Sequence, residues 1–239
     1  MDKEGQFEPL DPAGDIPLDT RYLGRLGYRA AARFQSDAVA ARARGESSDI
    51  AFVVEHDPVV TLGRSPGYAL GAEQVARLGE HGVEIVETDR GGRATYHGPG
   101  QLVVYPVVSL RERGNDAHGY VRSLERLIIA WLATFGIEAR VEAGLTGVWT
   151  EGGKIAAIGV GVRRGIGYHG FAVNLAPDLA VFELFEPCGL DGARVTSVLR
   201  ETGSAPMLEA AAAAIAPFID HFLGGSTFDR TAAEVPARG

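Results

Sequence analysis

Apolar residues recur at helical spacing through the alanine-rich stretch 28–43, and Gly45 supplies a stop. A dense apolar run follows, Ile50-Ala51-Phe52-Val53-Val54, with the length and β-branched content of a buried strand. Beyond His56-Asp57-Pro58, residues 59–62 read as another strand, 73–78 as a short helix and 83–88 as a strand again. Leu102-Val103-Val104-Tyr105-Pro106-Val107-Val108 is an apolar β-prone segment. Over 117–135, Val121, Leu124, Leu127, Ile128, Trp131 and Leu132 fall on one face of a longer helix, which Gly136 ends. Short strands are predicted at 139–142, 147–150, 154–163 and 167–174, joined by turns such as Glu151-Gly152-Gly153, a pattern that favours antiparallel hairpins. An alanine-rich helix over 207–222 closes the series, with an interruption expected at Pro217 because proline removes a helical donor and crowds the preceding turn. Strands grouped apart from helices, rather than in strict alternation, predict the α+β class: a mixed or antiparallel sheet with flanking helices, in a single domain over 17–223. Residues 1–16 and 224–239 lack apolar periodicity and read as flexible tails.

One stretch breaks the pattern. Between Asp89 and Gln101 the chain packs four glycines, a proline, two arginines and a histidine, which is poor material for a core and good material for a ligand loop. The chain as a whole is ordinary globular material: 239 residues, 46% hydrophobic and 23% charged. Its net charge of -8 argues against a general nucleic-acid binder, which needs a clustered basic surface. No run is long enough to cross a bilayer and no secretory leader pattern is evident, so a cytoplasmic protein that engages neither nucleic acid nor membrane is expected. The single cysteine, Cys188, excludes an internal disulfide, fits a reducing compartment, and can act only as a thiol.

Cys188 lies in Glu186-Pro187-Cys188-Gly189-Leu190, where a tight turn would expose the thiol; a small buried hydrophobe is the duller reading. A reactive thiol needs a nearby cation or base. Lys154, at the mouth of the apolar segment 154–163, is the candidate, unless it is merely a solvated charge at a strand end. His97 and His169 both stand beside glycines and could reach a shared cleft, while His56, His81, His118 and His221 read as surface or satisfied core residues. Arg90 and Arg93 flank the glycines and could hold a carboxylate or phosphate, or simply be solvated. No metal-ligand spacing is present, and neither Gly91-Gly92 nor the glycine pair 159/161 forms a phosphate loop or dinucleotide fingerprint.

Four blocks taken in order resemble the lipoyl(octanoyl) transferase family. They are Glu55-His56-Asp57-Pro58-Val59-Val60-Thr61-Leu62-Gly63-Arg64, Arg90-Gly91-Gly92-Arg93-Ala94-Thr95-Tyr96-His97-Gly98-Pro99-Gly100-Gln101, Lys154-Ile155-Ala156-Ala157-Ile158-Gly159, and Tyr168-His169-Gly170-Phe171-Ala172-Val173-Asn174 with Pro187-Cys188-Gly189. Asp57, and Phe171 where leucine is common, depart from the family pattern at positions to which no catalytic role is assigned. The resemblance implies the fold shared by lipoate and biotin protein ligases. It implies transfer of an octanoyl group from octanoyl-acyl carrier protein to a lysine of apo lipoyl domains, those of 2-oxoacid dehydrogenases and of the glycine cleavage H protein. It gives Cys188 the acyl thioester and makes Lys154 the group that lowers the thiol's pKa. The substrate site would be lined by Arg90, Gly91, Gly92, Arg93, Ala94, Thr95, Tyr96 and His97, by Ala157, Ile158 and Gly159, and by Gly170, Phe171 and Ala172. Neither cofactor nor metal is implied, since the donor thioester is already activated. A lipoate or biotin ligase, which activates a free acid with ATP, is the competing enzyme reading, and an acyl-binding protein without turnover the competing non-enzyme one. Both protein partners are typically acidic in this family, which directs attention to Arg163 and Arg164.

Overall fold

The computed structural model describes residue 16 and residues 18–185 and 194–225. Cys188 and almost all of the two expected tails lie outside the described residues. The elements run β1 (Leu18–Leu26), α1 (Tyr28–Ala43), β2 (Asp49–His56), β3 (Val59–Leu62), α2 (Ala72–Glu80), β4 (Glu84–Glu87), β5 (Ala94–His97), β6 (Gln101–Ser109), α3 (Ala117–Ala133), β7 (Arg140–Glu142), β8 (Leu145–Thr150), β9 (Gly153–Arg163), β10 (Ile166–Asn174), α4 (Val198–Thr202) and α5 (Leu208–Leu223). Short 3-10 turns occupy Arg111–Arg113 and Leu179–Leu184.

A seven-stranded sheet, ordered β1-β2-β6-β10-β9-β8-β7, forms the centre, and a three-stranded sheet, β4-β3-β5, stands apart from it. In the large sheet only β1 and β2 are parallel; the remaining pairs are antiparallel, as the glycine-rich turns predict. Alternation along the strands separates two cores. Ala51, Val53, Leu102 and Val104 face α3 and α5, where Tyr120, Leu124, Ile128, Trp131 and Ile215 fill one cluster. Phe52, Val54, Val103, Tyr105 and Val107 face the opposite way, onto Tyr28, Ala31 and Val39 of α1. Strand β6 is buried throughout, and apolar from Leu102 to Val108, because it is covered on both faces. The small sheet has its own cluster, in which Val60, Leu78, Ala94 and Tyr96 pack with Phe182 and Phe185.

Three sequence expectations change. Strand β1 is not anticipated, since it pairs with one neighbour, β2, and its residues, with Asp19-Thr20-Arg21 polar in a row and Tyr22-Leu23 apolar in a row, show no clean alternation. Four residues of the expected ligand loop form strand β5, all of them buried. Helix α5 continues through Pro217. Pro217 and Ala213, whose carbonyl the proline leaves without a donor, are both exposed, so water satisfies the turn that would otherwise break. Among the described residues no helix is long and apolar enough to cross a membrane.

Candidate active site

The two sheets enclose a narrow slot. Its walls come from Tyr28 of α1, Arg90, Gly92, Thr95 and His97 around β5, Val103 and Tyr105 of β6, Ala157, Ile158 and Gly159 of β9, and His169, Gly170, Phe171 and Ala172 of β10. Main chain and small residues form much of the lining, so a thin ligand fits and a bulky one does not. Gly170 is required there, because a Cβ at that position would stand 2.2 Å from the Val104 carbonyl oxygen and 2.6 Å from Pro106.

The glycine loop covers the slot because it is tied down from two sides. Gly63 and Arg64 N–H groups donate to the carbonyls of Arg93 and Arg90, both at 2.9 Å, and Gly91 N–H donates to Val160 of β9 at 2.8 Å. Arg90 is 5% exposed, and its guanidinium donates to Thr61 O at 2.6 Å, to Thr61 Oγ1 at 2.9 Å and to Gly91 O at 2.9 Å. Arg90 therefore holds the loop's shape rather than standing in solvent. Arg93 lies over the Tyr68 ring, and Gly91, Ala94 and Tyr96 join Arg93 outside the slot lining. Tyr96 faces Phe182 edge-on in the small-sheet cluster, since successive β5 side chains point opposite ways and only Thr95 and His97 face the slot.

Two histidines, His97 and His169, line the slot, and a third, His56, packs behind His97 with ring centroids 5.8 Å apart. Burial, together with the neighbouring His56 ring and the Arg90 guanidinium, holds the His97 imidazole well below its ordinary pKa and therefore neutral. Its Nδ1 lies 3.3 Å from Gln101 Oε1; Gln101 Nε2 donates to Asn174 Oδ1 at 2.8 Å, and Asn174 Nδ2 to Thr196 O at 2.9 Å. That sequence of donors assigns the His97 proton to Nδ1. His56 is a satisfied core residue, bonded to Leu26 O and the Tyr105 hydroxyl, and burial lowers its pKa too. Tyr28 stacks parallel to His97, and burial pushes its phenol up to about 12. His169 is held at Nε2 by Asp89 Oδ1, at 2.7 Å. Asp89 also accepts from Arg163 at 2.6 Å and from the Tyr168 hydroxyl. Against the upward push of burial, these donors keep the Asp89 carboxyl well below the usual carboxylate range.

Residues 27–219 match the family model described as the lipoyl protein ligase A/B catalytic domain. The chain is 46% identical over 178 residues to an octanoyltransferase of Geobacter metallireducens, covering 74% of this chain and 80% of that one. It is 44% identical over 196 residues to an octanoyltransferase of Chloroflexus aurantiacus, covering 80% and 87%. The chain belongs to the octanoyltransferase family. It is an acyltransferase. In fold it is similar to the bi-partite lipoate protein ligase of Thermoplasma acidophilum, with a TM-score of 0.65 at 19% identity over 85% of this chain and 83% of that one.

Lys154 stands at the head of β9, three positions before the first lining residue, Ala157, and is outside the slot lining itself. Its side chain, 8% exposed, has Nζ 5.3 Å from the centre of the Trp149 ring. Gly147, at φ +124°, leaves the space for it: a Cβ there would lie 2.6 Å from Lys154 Cε. The Lys154 main chain exchanges hydrogen bonds with Arg194 O at 2.8 Å and Thr196 N–H at 3.0 Å, so the chain returns to Lys154 six residues after Cys188. Four lining residues were not anticipated as substrate contacts: Tyr28, Val103, Tyr105 and His169. His169 was legible as a glycine-flanked histidine, whereas Tyr28 and Tyr105 carry no local signal and are brought in by packing. Among the described residues no three His, Cys, Asp or Glu side chains are placed to hold a metal.

Proposed function

We propose that the protein transfers an octanoyl group from octanoyl-acyl carrier protein to a lysine of apo lipoyl domains in 2-oxoacid dehydrogenases and the glycine cleavage H protein, through a thioester on Cys188. The observation that carries this reading is the slot between the two sheets, thin, with Gly92, Ala157, Gly159, Gly170 and Ala172 leaving the space between its larger side chains, and with Lys154 at the head of one of its strands. An extended aliphatic chain buried there is stabilised by roughly 0.8 kcal/mol per methylene. Residues 17–223 act as one catalytic unit, working in the cytoplasm; Arg90, Gly92, Thr95 and His97, with Ala157–Gly159 and Gly170–Ala172, line the acyl site, and Gly91, Arg93, Ala94 and Tyr96 stand behind it.

The Cys188 thiolate attacks the donor thioester carbonyl; the new C–S bond forms as the carrier's sulfur leaves and takes up the proton that Lys154 holds. In the second half the acceptor lysine's amine attacks the Cys188 thioester, the amide forms, and Cys188 departs as thiolate while Lys154 takes the amine's surplus proton. No ATP enters, because a thioester is exchanged for a thioester and then spent on an amide. The test is transfer from octanoyl-carrier protein to an apo lipoyl domain in the absence of ATP, with Cys188→Ser and Lys154→Arg alongside the wild type. ATP-independent transfer, lost by more than about a hundredfold in both variants, is expected. Transfer that requires ATP and survives Cys188→Ser contradicts it and favours ligase chemistry.

A further inference from the structure

The slot ends against a wall one side chain thick. Tyr28 and His169 line it from inside and also line a second, wider cleft that opens to solvent, whose other walls include Arg29, Arg33, Arg64 and Asp89. The slot is narrow, whereas the cleft is wide. The wall lies far from Lys154. His169 pairs with Val160, three positions along β9 beyond the first lining residue, Ala157, which is about 10 Å at the rise of a strand.

His169 is held there with unusual insistence. It has φ +56° in the middle of β10, a left-handed conformation that a non-glycine residue rarely adopts inside a strand. The strand tolerates it because β10 and β6 lose their pairing over 168–170, opposite Pro106, which has no N–H to donate. Two side chains then fix the residue: Gln35 Oε1 accepts its main-chain N–H at 3.0 Å, and Asp89 takes Nε2 at 2.7 Å. Asp89 is itself fixed by Arg163 and Tyr168. A strained backbone held by contacts on both its main chain and its ring serves to put the ring in one place.

We propose that His169, anchored by Asp89 and backed by Tyr28, is the stop that sets the length of acyl chain the slot accepts. The proposal rests on the reading of the slot as the octanoyl site. A chain longer than the slot must displace the ring towards the cleft, breaking the bond to Asp89. A chain that fits gains roughly fourfold in affinity with each buried methylene up to the stop and nothing beyond it. Removing the ring joins the slot to the cleft, where the tail of a longer chain can lie.

The experiment compares octanoyl- and dodecanoyl-carrier protein as donors, and octanoate and dodecanoate as ligands by calorimetry, for the wild type, His169→Gly and His169→Asn. Glycine removes the ring and accepts the positive φ; asparagine tolerates that φ and is shorter than histidine. The dodecanoyl-to-octanoyl rate ratio should rise by about tenfold or more in His169→Gly and by less in His169→Asn. Dodecanoate affinity should rise in the same order. Variants that melt cooperatively yet keep the wild-type rate ratio and the wild-type order of fatty-acid affinities overturn the stop, while leaving octanoyl transfer standing. A wild type that transfers no octanoyl group overturns the octanoyl reading instead, and the calorimetric comparison then still decides whether His169 closes the slot.

Discussion

Arg90 shows how a residue type can be legible while its use is not. An arginine between glycines suggests an anion partner, yet its fork is turned onto the carbonyls of Thr61 and Gly91, linking the glycine loop to β3. The Thr61 acceptor lies on a strand 29 positions earlier, a relation that only the folded register supplies. Arg90→Lys keeps the charge but cannot reproduce the fork, so it should cost about 1–3 kcal/mol of stability. A urea denaturation curve measures this, and acyl affinity should weaken in parallel as the loop loosens. A variant of wild-type stability that has lost only acyl affinity would place Arg90 against the substrate instead. Lys154 is the opposite case, since its position at the head of an apolar strand was readable, while the glycine and tryptophan that confine it, Gly147 and Trp149, lie on the neighbouring strand β8.

Elements with an uninterrupted apolar signal were legible nearly to their ends: α1, β2, β3, β6, α3 and the hairpin strands β8 to β10. Those that failed did so for physical reasons. Strand β1 exposes much of its surface, so its alternation is diluted by Arg21 and Arg25. Strand β5 is short and reads Ala-Thr-Tyr-His, polar by composition, and is buried because one face packs on Phe182 and Phe185 and the other faces the slot and the large sheet. Helix α5 was expected to be interrupted at Pro217 by the missing donor and the crowded turn, and it continues because Pro217 and Ala213 lie on its exposed side. The loss of pairing in β10 opposite Pro106, which gives His169 its conformation, depends on two strands distant in sequence and could not be seen from either alone.

At the scale of the molecule, the α+β class was readable from the grouping of elements, whereas the strand order and the separation into two sheets, which create the slot, were not. The same closure buries three histidines in neutral form. His56, His97 and His169 all have pKa values lowered chiefly by burial, so below their ordinary value of about 6.5 the unfolded chain binds protons that the folded one refuses. Stability should therefore fall as the pH drops below about 6.5, each histidine adding up to about 1.4 kcal/mol per pH unit to the slope. Asp89, whose folded pKa is also lowered, adds a loss of the same sign below about pH 4. Urea midpoints between about pH 8 and about pH 5 measure the histidine part, and a flat profile would mean that these rings take up protons in the folded state. The central claim is that Cys188 carries the acyl group between donor and acceptor. Its most direct test is to mix the protein with octanoyl-carrier protein, without acceptor or ATP, and weigh the intact chain. The account predicts one octanoyl group per chain, removed by neutral hydroxylamine, mapped to the peptide that contains Cys188, and discharged onto an apo lipoyl domain. An adduct that resists hydroxylamine, maps to Lys154 or forms only when ATP is added contradicts it.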